Sequence, residues 1–429
     1  MGEPRGKLFH LAFGISKSFL DQARLLELVS TIVRAMSDAK DGDRNPTRLY
    51  DAGSVKGINY GLDTAFDRRP WEKKDGVLSP PGREYGVAYQ RISGLSFHRR
   101  IGMTPLLGIG RYTYGFGKRP YSTALTLQGE YAYGFRGYRV RTTADKRLEF
   151  SPLHFTAEAQ VSDIEVVRFN GLGNASADSG GTSGYFDVHQ TQWMLHPAIA
   201  MTIGPNTDVS FGPVIQHSVT DTVRSAYLSS AKPYGTGSFD QAGVQFAARY
   251  EWRRVPAKDI YTHHRVLIDL NAFYYPAAMD VRSHFASVSA SAGASFTLPV
   301  PTHPLLVVRG GGKKLYGNFP YYEAAFIGGE GTTRYMDTQR FAGDASLYGT
   351  SELRIPLVRF KLFVPARAGL LGIAEAGRVY VNGQSPGGWY SRTGQGIWLG
   401  KKDLSSVVTF ATTTEPGHTG IHIRIGLNF

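Results

Sequence analysis

The chain of 429 residues contains no cysteine, so it can form neither a disulfide framework nor a thiolate metal site. No segment offers eighteen consecutive apolar residues, which argues against a helical membrane span. The formal net charge is +13, but the basic residues are scattered and no run of five or six Lys or Arg occurs. This scatter disfavours nucleic-acid binding and favours a basic interior and basic loops near anionic headgroups.

The most informative feature that is present is the last segment, His418 to Phe429 (HTGIHIRIGLNF). Apolar residues at Ile421, Ile423, Ile425, Leu427 and Phe429 alternate with His422, Arg424, Gly426 and Asn428. A period of two places apolar and polar side chains on opposite faces of a strand. A chain that stops on such a strand, with an aromatic last, is typical of outer-membrane barrels, so Ile425, Leu427 and Phe429 are predicted to form a C-terminal assembly signal.

The same alternation recurs upstream. Val244, Phe246, Ala248, Tyr250 and Trp252 oppose Gln245, Arg249, Glu251 and Arg253, and a count along the chain gives sixteen candidate strands. The first is placed at Leu95 to Met103, and two later ones at Ser346 to Val358 and Phe360 to Glu375. Aromatic residues reach 12% and glycines number 51, as in barrels whose alternate residues touch lipid. Because backbone amides in hydrocarbon must be paired, such a sheet has to close. A soluble β-sandwich or propeller is the alternative.

The N-terminal part differs in character. Ser18 to Lys40 has the apolar periodicity of one helix, and Asp41 to Arg83 is polar and rich in Gly, Pro and charge. We therefore expect two regions: residues 1–84 as a helix and connector, and residues 85–429 as the barrel. The first residues lack a signal peptide, so we expect a mature form or a piece of a longer polypeptide.

Three segments resemble the bacterial surface antigen superfamily, which includes outer-membrane barrel-assembly and two-partner-secretion proteins. The first segment contains Gly328, Gly329, Arg334, Tyr335, Arg340, Phe341, Gly343 and Asp344, and runs into Glu352-Leu353-Arg354-Ile355-Pro356. It is similar to the family's long loop with an arginine tip, although Tyr335 stands where the family has glycine. The second is Ile373 to Val379, in which Glu375 stands where the family has aspartate. The third is Trp389 to Leu399 (WYSRTGQGIWL).

The resemblance implies an all-β fold: a sixteen-stranded antiparallel transmembrane β-barrel with a long loop folded into the lumen. It also implies that Arg334 of the loop pairs with the Glu375 carboxylate and tethers the loop there. A bidentate contact between arginine and carboxylate is strong and directional in a shielded interior. Family members usually carry βααββ modules before the barrel, and residues 1–84 are too poor in strands to form one. Residues Phe169 to Asn174 (FNGLGN) resemble a further family loop.

Enzyme chemistry is not indicated. Gly383 to Gly387 (GQSPG) fits a nucleophile pattern, but proline in a glycine-rich loop provides neither the strand before nor the helix after that this elbow needs. The histidines lack a metal-ligand spacing with carboxylates, so the sequence predicts no metal and no cofactor. The charged residues predicted to face inward have mixed signs and indicate a network of lumen ion pairs. They are Glu130, Glu158, Arg249, Glu251, Asp269, Glu352 and Arg354.

Three functions follow as hypotheses. The first is polypeptide translocation or insertion at the bacterial outer membrane, through the lumen or at a weak junction between first and last strands. The second is an anchor or exporter for a fused N-terminal enzyme domain, and the third is a passive pore for small polar solutes. The expected partners are outer-membrane lipid and lipopolysaccharide, a polypeptide substrate, and a periplasmic or fused N-terminal domain, with no nucleic acid.

Overall fold

The computed structural model describes residues 47–50, 64–67, 85–98, 100–115, 118–149, 151–174, 184–254, 264–329, 331–362, 364–401, 407–415 and 418–426. The chain divides into two compact units, Met1–Arg83 and Glu84–Phe429. In the first unit, β1 (Thr47–Tyr50) and β2 (Thr64–Asp67) pair in parallel. The helix predicted at Ser18 to Lys40 lies outside the described residues.

The second unit is one sheet of sixteen strands, and every neighbouring pair is antiparallel. Its strands are β3 (Val87–His98), β4 (Gly102–Gly115), β5 (Lys118–Ala132), β6 (Gly137–Arg147), β7 (Leu153–Ser162), β8 (Gln190–Ile203), β9 (Thr207–Thr220), β10 (Ser238–Arg254), β11 (His264–Tyr275), β12 (Phe285–Thr297), β13 (Leu305–Gly317), β16 (Ala345–Leu362), β17 (Val364–Tyr380), β18 (Tyr390–Lys401), β19 (Val407–Glu415) and β20 (His418–Gly426). Two short strands, β14 (Ala325–Ile327) and β15 (Phe341–Gly343), form a separate pair between β13 and β16. The predicted sixteen-stranded antiparallel barrel is confirmed.

The two faces of the sheet differ as the alternation predicts. Along β9, the Phe211 and Ile215 side chains are 57% and 43% exposed, whereas Val214 between them is fully buried. Along β12, Val288 is exposed while its neighbour Ser287 is buried. Apolar side chains on the outside and small or polar ones inside are the pattern of a barrel that spans a bilayer. In the described part of the chain, no helix is long and apolar enough to cross a membrane.

The two ends of the barrel differ in the length of their connections. Residues 148–152, 204–206, 298–304 and 363 connect strands at one rim, which we call the short-turn end. Residues 163–189, 221–237 and 318–344 connect strands at the opposite rim, which we call the long-loop end. The segment 221–237 contains the short helix α1 (Ala226–Ala231). In outer-membrane barrels short turns face the periplasm and long loops face outward.

The long loops share a buried apolar cluster at their end of the barrel. Phe169 and Val188 from the first loop, Leu228 from α1, and Tyr321 and Tyr322 from the third loop pack together. Burial raises the pKa of both tyrosine phenols well above the ordinary value, so they stay protonated. The Tyr321 hydroxyl lies 3.0 Å from Thr220 Oγ1. This cluster packs the three long loops together at their end of the barrel.

Two strand boundaries predicted from the sequence are wrong. The segment Leu95 to Met103 spans the turn at residues 99–101, because the first barrel strand begins at Val87. The break predicted between Val358 and Phe360 lies instead at residue 363. β16 continues past Pro356 because its ladder with β13 ends at Arg354, so the missing proline N–H breaks no pair on that side. A bulge between Pro356 and Val358 accompanies it.

Candidate functional site

The candidate site is the segment 318–344, which leaves β13, enters the barrel interior and returns to β16; we call it the lumen loop. It begins with a 3-10 helix, Tyr321–Glu323, and its arms are held together by the β14–β15 pair. Ala325, Phe326 and Ile327 pair with Gly343, Ala342 and Phe341, so residues 328–340 form a closed excursion from the base of this ladder.

Glycines let the lumen loop turn. Gly328 and Gly329 have φ values of +111° and +92°, which side chains with a Cβ rarely adopt. A Cβ on Gly328 would lie 2.0 Å from the Asp337 carbonyl oxygen, and one on Gly343 would lie 2.3 Å from the Tyr380 carbonyl oxygen. The Gly328 N–H donates to Thr332 Oγ1 at 2.8 Å. The glycines singled out in the sequence therefore allow the close backbone approach that the loop needs.

Tyr335, at the tip of the loop, is held through its backbone. Its N–H donates to both carboxylate oxygens of Glu375 at 3.1 Å, and its carbonyl oxygen accepts from Arg392 Nη1 at 2.6 Å. Its side chain, 1% exposed, lies in an apolar cluster on the inner wall. That cluster consists of Leu305, Val307, Leu371, Ile373, Trp398 and Ala411. The inner wall thus holds the loop tip by two charge-assisted hydrogen bonds and by burial of the Tyr335 side chain among apolar residues.

Arg334 lies beside a second buried carboxylate. Its Nη1 is 3.4 Å from Glu352 Oε1, and the other Glu352 oxygen is 2.5 Å from Arg354 Nη2. Glu352 therefore joins the loop to β16 while Glu375 joins it to β17. Arg334 and Tyr335 are consecutive residues of the loop tip, and Tyr335 contacts Glu375 of β17. Direct pairing of the Arg334 and Glu375 side chains stays a prediction.

The base of the loop contains the remaining residues of the motif. Phe341 is buried with Ile327, Met336 and Val379, and the Arg340 guanidinium stacks on the Phe341 ring at 4.5 Å. Asp344 accepts the Asn382 N–H at 2.8 Å and lies 3.2 Å from Lys314 Nζ. These contacts fix the direction from which the loop enters the barrel.

Two side chains that hold the loop were not predicted. Arg392 is one, and Gln339 is the second: its Oε1 accepts the N–H groups of Val167 and Arg168 at 2.8 and 3.2 Å, and its Nε2 donates to the Glu165 carbonyl. Gln339 itself has a φ of +51°. The contacts join segments about 170 residues apart, and a single sequence carries no local signal for such pairs.

Asn174, the last residue of the FNGLGN segment, anchors the first long loop. Its Nδ2 donates to the carbonyls of Val379 and Gly388 and to Ser385 Oγ, at 3.0, 3.1 and 2.8 Å. Its Oδ1 accepts the Val379 N–H at 2.9 Å. One buried amide thus joins the first long loop to the connection between β17 and β18, beside the base of the lumen loop.

Replacing Asn174 with alanine should lower the free energy of unfolding by about 3 kcal/mol, because four hydrogen bonds, two of them buried and two partly buried, are lost. Asn174→Asp should be no milder, since it sets a carboxylate against two carbonyl oxygens. Urea unfolding of the purified barrel measures both. Leu172→Ala, at a half-exposed position in the same segment, is the control; equal stability of the Asn174→Ala and Leu172→Ala variants would refute the anchor.

The opposite part of the lumen is polar. A cavity of about 380 Å³ is lined by charged and amide side chains of β5 to β9 and of the first long loop, among them Glu130, Arg139, Glu158 and Gln192. Arg139 lies 2.9 Å from Glu130, and elsewhere Arg249 lies 3.4 Å from Asp269. The predicted network of lumen ion pairs is confirmed.

The two terminal strands of the sheet lie side by side. The hydrogen-bonded order runs from β3 to β20, and no register joins these two strands in the described residues, although their Cα atoms approach within 8 Å. We call this junction the seam. Ile425 pairs in register with Val408 of β19. Leu427 and Phe429 lie outside the described residues, so the assembly signal stays a prediction.

Comparisons with known proteins identify the architecture. No family model matches the sequence, and no curated protein matches it. BamA from Haemophilus ducreyi lacking POTRA domains 1–3 superposes with a TM-score of 0.55 at 12% identity, over 79% of this chain and 69% of that one. CdiB from Escherichia coli gives 0.50 at 10% identity, over 80% of this chain and 63% of that one. The chain has the BamA type of β-barrel fold and spans about two thirds of these chains.

Proposed function

We propose that this chain, which has the barrel fold of BamA, is an outer-membrane protein that inserts or translocates polypeptides. Its chemistry would be non-enzymatic. An incoming strand would pair with an edge at the seam while lipid and lipopolysaccharide surround the apolar outer wall. What supports the proposal is the combination of a loop held inside the barrel by Glu375 and Arg392 with a seam that has no ladder in the described residues.

The loop inside the barrel argues against a passive pore. Tyr335 is bound to Glu375 and Arg392, and the long loops pack together in an apolar cluster at their end of the barrel. Small solutes would meet packed side chains on this route. Passage of a polypeptide at the seam does not require the lumen to open. The edge of a strand carries backbone donors and acceptors with which another strand can pair.

Cross-linking the seam tests this proposal. Because the chain has no native cysteine, one cysteine in β3 and one in β20 give a defined disulfide, and a scan of position pairs finds those that form. The control is Leu270→Cys with Ala290→Cys, which joins residues paired in the ladder between β11 and β12. Assisted insertion of an unfolded reporter barrel into liposomes is measured with and without reductant.

The locked seam should slow insertion at least tenfold and reductant should restore it, while the control disulfide should change little. A locked seam with the full rate would refute the proposal. A large, steady ion conductance of the unaltered protein would instead favour a pore.

A further inference from the structure

Two arginines, Arg91 of β3 and Arg111 of β4, interrupt the apolar pattern on the outer wall of the barrel. Arg91 pairs with Ile109 in the ladder between these strands, and directly paired residues share one face of a sheet. Ile109 is 50% exposed and also pairs with the exposed Leu127 of β5, so this face is the outer one. Arg111 lies two positions from Ile109 and therefore has the same orientation. Both arginines are exposed, at positions where the alternation of a barrel strand calls for apolar side chains.

The two arginines are close enough to bind one group together. They are diagonal neighbours on an antiparallel pair, and such neighbours lie roughly 7–8 Å apart, within reach of long side chains. Tyr89, which is 69% exposed, is directly opposite Arg111 and adds a phenol to the same patch. Within the described ranges, neither guanidinium has an ion pair or a side-chain hydrogen bond. The described part of the protein thus leaves both charges unmatched.

Two other cations on the outer wall are matched by groups of the protein. Lys314 of β13 lies 3.2 Å from an oxygen of Asp344. Arg378 of β17, which pairs in register with the exposed Leu347, stacks on the Trp389 ring at 5.4 Å. Both lie at the long-loop end of their strands. The patch on β3 and β4 differs from them in its position and in its lack of a described partner.

The patch lies toward the short-turn end of the barrel. β3 begins there at Val87 and β4 ends there at Gly115, each four residues from the arginine of that strand. At about 3.3 Å per residue this is roughly 13 Å along the strand, and a long arginine side chain can extend back toward the headgroups. Charge on the lipid-facing surface is costly at the bilayer midplane and tolerated near the interface, and short turns face the periplasm. The guanidinium groups therefore face the headgroups of the periplasmic leaflet.

We propose that Arg91 and Arg111 bind the phosphate of an anionic phospholipid in that leaflet, beside the seam. Guanidinium groups donate two parallel N–H bonds to phosphate oxygens, which makes arginine well suited to this ligand. A zwitterionic headgroup fits less well, because its cation would approach two positive charges. β3 is a terminal strand of the sheet, so the lipid would lie against one side of the seam. The site rests on the outer-membrane location but not on the passage of polypeptide.

Binding of fluorescently labelled phosphatidylglycerol to the full chain in neutral detergent tests the site. Fluorescence anisotropy should show saturable binding, with unlabelled phosphatidylglycerol displacing the probe at least ten times more effectively than phosphatidylcholine. Arg91→Gln with Arg111→Gln should weaken binding at least tenfold. The matched control is Arg141→Gln with Arg249→Gln, which removes two charges that pair with carboxylates inside the barrel and should change little.

Equal loss of binding in the two double variants would overturn the proposal. So would equal displacement by phosphatidylglycerol and phosphatidylcholine, a comparison made on the unaltered protein and therefore independent of how any variant folds. Displacement by inorganic phosphate as effective as by phosphatidylglycerol would overturn the assignment to a lipid. Absence of saturable lipid binding, beside a seam lock that still slows insertion, would refute this site and leave the proposed function standing.

Discussion

Replacing Glu375 with alanine should release the lumen loop and raise the ion conductance of the barrel. Glu375 is 4% exposed and accepts the Tyr335 N–H with both oxygens. Without it the Tyr335 amide loses its acceptor, and Arg334 and Arg392 remain beside the tip with one carboxylate, Glu352, instead of two. Removing one partner of a buried charged network costs about 3–5 kcal/mol.

A loss of about 3 kcal/mol corresponds to roughly a hundredfold larger population of the released loop, since each 1.4 kcal/mol is a factor of ten. Planar-bilayer recordings should therefore show openings of the Glu375→Ala variant that the unaltered protein lacks. Trypsin should also cut more readily after Arg334 and Arg340. Glu375→Gln keeps one acceptor oxygen but loses the negative charge. Its conductance should therefore lie between that of the unaltered protein and that of Glu375→Ala.

The control is Glu251→Ala, which also removes a lumen carboxylate but touches no residue of the loop in the contacts described. It changes the lumen charge by the same amount. If both variants conduct equally, charge rather than loop release is responsible, and the role assigned to Glu375 is refuted.

The sequence predicted the barrel because a period of two is a local property. Val244 to Trp252 reads as one strand without knowledge of its neighbours, and the ladders of β10 bear this out. The start of the first strand was not predicted, because Arg91 belongs to the same alternate set of positions as Val87 and Tyr89 and interrupts the apolar pattern. The turn at residue 363 was misplaced because Pro356 normally marks a break, and its tolerance depends on where β13 ends.

The candidate site was predicted only in part, for a different reason. The resemblance located the lumen loop and Glu375, since these lie in short motifs. Arg392, Gln339 and Asn174 act through pairs separated by 57 to more than 200 positions. No periodicity or motif links such positions in one sequence.

Gly328→Ala should destabilise the protein more than any other glycine-to-alanine substitution in the lumen loop. The residue has a φ of +111°, where alanine is strained by about 1–3 kcal/mol. The new Cβ would also lie 2.0 Å from the Asp337 carbonyl oxygen, a backbone atom that cannot rotate away. Because residues 328–340 are closed by β14 and β15, relief requires that ladder to shift, and the total cost should be at least about 3 kcal/mol.

Gly331→Ala is the matched control, because a Cβ there meets no atom within 4 Å and its backbone does not have a positive φ. Urea unfolding and bilayer conductance should separate the two variants: Gly328→Ala should unfold at lower urea and conduct, while Gly331→Ala should match the unaltered protein. If Gly328→Ala instead stays closed and equally stable, residues 328–340 do not form the tight excursion described. Loss of stability without conductance would mean that the tip stays bound to Glu375 after the β14–β15 ladder yields.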